Sequence, residues 1–149
     1  MAVISGGREL EKRLAEIAQK ANRKATVRVG FLENATYPDG TSVAMVAAIQ
    51  DFGAPSRGIP PRPFFRNMVA EKSPTWGDST AKLLMANDYD AVKTLEQVGA
   101  GIGGQLVQSI KDTNEPELAE STVARKGFKK PLVDTGHMQN SVSWEVTES

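Results

Sequence analysis

Two stretches of the chain have residue types and spacing that could do chemistry. The first is Leu132-Val133-Asp134-Thr135-Gly136, two apolar residues ahead of Asp-Thr-Gly, which has the form of an aspartic-protease catalytic loop. That chemistry needs two carboxylates sharing one proton, one activating water and one donating to the substrate carbonyl. The sequence holds no second Asp-Thr-Gly, so only a retroviral-type dimer could assemble the pair. The stretch from Gly136 to Ser149 is too short to supply a flap and supporting strands. The simpler reading makes Asp134, Thr135 and Gly136 a structural turn, in which Asp134 or Thr135 caps a short helix through its side-chain oxygen.

The second is Gly99-Ala100-Gly101-Ile102-Gly103-Gly104, which formally matches a dinucleotide fingerprint. A working fingerprint leaves a strand and opens a helix, so that the helix N-terminus meets the pyrophosphate. Here helical periodicity precedes and follows the run. Its four glycines in six positions, each costing up to ~1 kcal/mol against Ala in a helix, point instead to close approach of another backbone or to a kink. No cofactor is expected.

Composition narrows the classes further. Eighteen basic and eighteen acidic residues cancel, so no global field draws the chain to nucleic acid or to an anionic membrane. Cysteine is absent, which removes disulfide scaffolds, thiolate metal sites and cysteine nucleophiles, and the single His137 cannot form a multi-histidine site. No apolar run approaches the ~20 residues that span a bilayer, and the first residues lack a signal-peptide core. No metal and no membrane contact are expected, and synthesis in the cytoplasm is the default. Basic charge is nevertheless local: Arg57, Arg62 and Arg66 fall in an acid-free stretch from Phe52 to Ala70, and Arg125, Lys126, Lys129 and Lys130 cluster near the C-terminus. The two basic loops raise a nucleic-acid-binding accessory module as an alternative, although there is no basic stripe interleaved with aromatics of the kind single-strand binders use.

The elements that must position these groups can be read from periodicity. Leu10, Leu14, Ile17 and Ala21 recur at helical spacing and predict an amphipathic helix over 7–24. Val27, Val29 and Phe31 alternate with Thr26, Arg28 and Gly30 and predict a half-buried strand packed near that helix. Ser42 is placed to cap an apolar helix from Val43 to about Asp51, buried on most sides, which Gly53 ends.

The proline-rich loop over 53–63 holds Pro60, Pro61 and Pro63, and is stiff because proline fixes φ and restricts the residue before it. Phe64 and Phe65 follow where a helix can start, anchoring the loop base and running to Lys72. Ser73 to Ala86 is ambiguous, with a short helical pattern after Asp78. A long helix is predicted from about Tyr89 to Lys111, with Leu95, Val98, Ile102, Leu106 and Ile110 as its apolar stripe. Leu118 to Lys126 reads as a short helix or irregular segment. Val142, Trp144 and Val146 form a last strand, with Val27 to Leu32 as its partner or near neighbour. The expected architecture is one α+β domain over 1–149, core 25–147: a small, mostly antiparallel sheet against one long helix, with short helices and long loops.

The order of these pieces resembles the tailed-bacteriophage neck and tail-completion family, also labelled virion-morphogenesis or minor tail proteins. The segments are Val27 to Leu32, Ala44 to Gly53, Ile59 to Arg66, Leu118 to Gly127 and Lys130 to Gly136 with Asn140-Ser141-Val142. Together they span roughly residues 25–147. The resemblance implies a structural virion subunit with no catalytic set, assembled into a homo-oligomeric, hexameric ring. Such a ring caps the tail tube and joins it to the head connector or stopper protein, with DNA passing through the channel. On that reading Arg57, Arg62, Phe64, Phe65, Arg66, Arg125, Lys126, Lys129 and Lys130 belong to the loops that meet neighbouring subunits or rings. Arg62 and Arg66 would supply polar bonds, and Phe64 and Phe65 would hold the loop base.

Overall fold

A computed structural model describes residues 6–114 and 136–148. In chain order its elements are α1 (Gly7–Ala21), β1 (Ala25–Phe31), α2 (Val43–Phe52), a 3-10 turn (Pro55–Arg57), α3 (Phe64–Ala86), α4 (Ala91–Asn114) and β2 (Val142–Glu148). A short helical turn over residues 136–140 leads into β2. The architecture is α+β, with a two-stranded antiparallel sheet packed against a long helix.

β1 and β2 pair in the register Val27↔Val146, Val29↔Trp144 and Phe31↔Val142, which puts all six side chains on one face of the ladder. An isolated pair of strands is marginal in water. Here α4 lies across both strands and supplies the missing cover, while α3 packs against α4. The core gathers at one end of this stack. Val43 and Ala47 of α2, Phe64 and Met68 of α3, Leu106 and Ile110 of α4, Tyr37 and Met138 are all buried there. Phe31 meets Phe64 edge-on, with ring centroids 6.5 Å apart.

Several expectations need correction. The helix predicted over 7–24 ends at Ala21, and it does not pack on β1: Leu10 is 61% and Leu14 55% exposed. Two long helices replace the expected one, because α3 continues through Pro74 to Ala86. Proline in a helix interior removes one backbone bond and crowds the carbonyl four residues earlier. Pro74 and Ala70 both face solvent, where water can take up that carbonyl. The helix beyond Pro74 is held by tertiary bonding instead, as Trp76 Nε1 donates to Gln105 Oε1 of α4 at 2.8 Å.

The long helix predicted from Tyr89 starts at Ala91, since Asp88 and Tyr89 have φ of 57° and 63° and close a left-handed turn between α3 and α4. Asp90 caps the new helix, its carboxylate accepting the Lys93 N–H at 3.1 Å. α2 is capped as expected by Ser42, whose hydroxyl oxygen accepts the Met45 N–H at 3.3 Å. Its burial is one-sided, however: Met45 and Phe52 are 53% and 64% exposed.

The glycine run lies inside α4, so it offers no helix N-terminus to a phosphate. The close approach it was expected to permit is made by a side chain. A Cβ on Gly99 would stand 2.6 Å from Trp144 Cδ1 and 2.9 Å from Val27 Cγ2. Gly103 lies under the same indole, while Gly101 and Gly104 face open space. Trp144 Nε1 donates to Glu96 Oε2 at 3.0 Å, pinning the ring one turn before Gly99.

Candidate functional site

Among the described residues, the loop between α2 and α3 is the best-built surface feature. α2 must end at Gly53, where φ is 73° and where a Cβ would come 2.7 Å from the Pro61 nitrogen and 2.8 Å from the Ile59 oxygen. Only glycine fits that close passage without displacing backbone. From there Ala54 and Ile59 exchange backbone bonds at 2.9 and 3.1 Å around the Pro55–Arg57 turn. Gly58 closes that turn in the left-handed region. The chain then returns along α2, and the Arg62 N–H donates to the Gln50 carbonyl at 2.7 Å. A segment that carries four prolines and these cross-bonds holds one shape.

Its far end is fixed by a residue that no local pattern reveals. Asp51 is 4% exposed, and its Oδ1 accepts the N–H groups of Phe65 at 2.9 Å and Arg66 at 3.2 Å. It therefore caps α3 from another helix, in place of Pro63, which has no capping side chain. Its Oδ2 accepts the Arg66 Nε–H at 2.8 Å, while Arg66 Nη2 donates to the Asp51 backbone carbonyl at 2.7 Å. The guanidinium also lies 4.5 Å above the Phe52 ring.

The residues predicted to line the interface thus divide. Arg57 is exposed on the 3-10 turn and Arg62 is half-buried beside it, and neither guanidinium has an ion-pair partner among the described residues. Arg66 is engaged within its own chain by Asp51, so its charge is already met. Phe64 is 1% exposed and anchors the loop base, with Phe65 against it at 6.5 Å. Arg125, Lys126, Lys129, Lys130, Asp134 and Thr135 lie outside the described residues, as does the Leu118 to Lys126 segment. Gly136 opens the helical turn 136–140. The next residue, His137, donates from Nε2 to the Thr36 carbonyl at 2.8 Å and rests on Tyr37.

Two further surfaces were not foreseen. Asp88, in its left-handed turn, accepts bonds from Arg13 and from Lys20 at 3.3 Å, and these tie α1 to the rest of the molecule. The outward face of α2 carries Met45, Ala48 and Phe52 at i, i+3 and i+7, all exposed. Among the described residues no group of three or more His, Asp or Glu could hold a metal ion, and no helix is long and apolar enough to cross a membrane. A scan against family models and searches of curated proteins and of solved structures return no match.

Proposed function

We propose that the chain is a structural virion protein of a tailed bacteriophage, a subunit of a ring at the neck or head-proximal end of the tail. The ring completes or terminates the tail and joins it to the head connector or stopper protein. Its partners on this reading are copies of itself, that connector and the tail tube protein, with DNA passing through the channel. It is made in the host bacterial cytoplasm and resides in the virion.

The observation that carries this reading is the rigid Gly53 to Arg66 loop, braced by Asp51, in which neither the Arg57 nor the Arg62 guanidinium has an ion-pair partner among the described residues. A loop already ordered before contact lowers the entropy cost of each subunit interface. A closed ring needs two different complementary surfaces on each subunit. Exposed apolar side chains on α1 and α2 are of the kind such surfaces use. The ordered segments that resemble the neck and tail-completion family support the same reading.

Electron microscopy of tails from the phage that encodes the chain, with an antibody raised against it, tests the assignment. Label at the head-proximal tail end or neck is expected. A chain absent from purified virions would overturn the assignment.

A further inference from the structure

We propose that the outer edge of β1 pairs with the outer edge of β2 from a second copy of this chain, so that neighbouring subunits share one antiparallel sheet. The inference rests on the ring reading and names the strands that join its subunits. The sheet has two strands, so each has a partner on one side only. In an antiparallel pair, alternate residues of each strand aim their N–H and C=O groups away from the partner. Among the described residues, no backbone bond links 25–31 or 142–148 to anything beyond the β1–β2 ladder.

Neither edge carries the devices that keep a strand from pairing again. The register runs unbroken through all seven positions, with no bulge, and neither strand holds Pro or Lys. α4 covers one face of the sheet and leaves its sides open, so that no residue of either strand is buried. A groove of about 670 Å³, lined by residues 28–34 with Phe65 and Glu145, gives room beside β1.

Charge selects the occupant. Arg28 is the one charged residue of β1, and Glu145 and Glu148 are those of β2. Arg28 and Glu145 are exposed and stand opposite each other in the ladder. Pairing β1 with β2 of the next copy gives Arg28 an acidic strand on its second side as well, and opposite charges across strands stabilise a sheet. β1 against β1 would offer Arg28 no acid, and β2 against β2 would offer its glutamates no base. A shared register of matching parity also keeps Val27, Val29 and Val146 of every copy on the face that its own α4 covers. The contact joins two different surfaces of each subunit, as a closed ring requires, whereas two copies of one edge would stop at a two-fold dimer.

Because the chain has no cysteine, single-cysteine variants report the contact directly. Thr26→Cys chains are mixed under mild oxidation with Ser143→Cys, Glu145→Cys or Thr147→Cys chains, all on the polar face of the sheet, and the linked peptides are identified by mass. Hydrogen exchange of the unmodified chain over a dilution series is the second readout. A disulfide joining β1 of one chain to β2 of another is expected, severalfold higher in one mixture than in the others because one register pairs. Protection of 25–31 and 142–148 should fall on dilution while α4 keeps its own. Thr26→Cys chains that link to one another more than to any β2 variant, no link between chains in any mixture, or strand exchange unchanged by dilution would overturn the contact. If the unmodified chain still forms closed rings in those cases, the ring reading stands and only the strand pairing is wrong. A chain that stays monomeric at every concentration defeats both.

Discussion

Asp51 and Arg66 are joined twice, through Oδ2 to Nε at 2.8 Å and through the Asp51 carbonyl to Nη2 at 2.7 Å, while the other carboxylate oxygen caps α3. One buried acid therefore sets the angle between α2 and α3 and the end of the loop between them. The partners contribute unequally, because the Asp51 side chain is 5% exposed and that of Arg66 is 50% exposed.

Asp51→Ala should lose the cap and leave backbone donors of α3 unmet, at a cost of about 2–4 kcal/mol. Arg66→Ala should cost only about 1 kcal/mol, since half of that side chain is already in water. Urea unfolding of the two variants checks the order. Equal losses would mean that the ion pair, and not the cap, dominates.

Gly99 and Gly101 should respond to alanine with opposite signs. Gly99→Ala drives a methyl group into Trp144 and Val27, with an expected loss of about 1–3 kcal/mol. Gly101→Ala adds its methyl in open space on an exposed helix position, with an expected gain of up to ~1 kcal/mol. Thermal melts of both variants are sufficient, and a destabilised Gly101→Ala would argue against the described packing of α4.

Gly53→Ala should disturb the loop, because the methyl group meets the backbone of Ile59 and Pro61 and the residue must hold a positive φ. A penalty of about 1–3 kcal/mol is expected from the backbone conformation alone. Limited proteolysis should then cut between Ala54 and Arg62, where the unsubstituted chain is expected to resist.

α1 should loosen with salt while the rest of the molecule does not. Its described attachments are the exposed Arg13 and Lys20 contacts to Asp88, and charges of this kind are screened beyond ~10 Å at 0.1 M salt. Hydrogen exchange read separately for residues 7–21 and for α4 should show faster exchange of the first at high salt and no change in the second. Equal behaviour of both would show that α1 is held by apolar packing.

Local patterns in the sequence carried much of the fold. The alternation of Val27, Val29 and Phe31 and that of Val142, Trp144 and Val146 announced both strands as partners or near neighbours, which the structure resolves as a pair, and Ser42 and Gly53 bounded α2. Contacts between residues distant in sequence were hidden. Asp51 caps a helix that starts 13 positions further on, outside any capping motif. The partner of Gly99 is Trp144, from the far strand, so the glycine run revealed a close approach but not what approaches. Pro74 signalled a break that packing on α4 overrides. Within the candidate site, the stiffness of the loop and the burial of Phe64 were legible from Pro and Phe spacing. The neutralisation of Arg66 was not, since the acid-free stretch begins one residue after Asp51.

The most direct test of the ring reading is the native mass of the purified full chain across a concentration series, with electron micrographs of the same samples. A single closed species of fixed copy number, seen as a ring, is the predicted result. A monomer at every concentration, or open filaments of indefinite length, would contradict it.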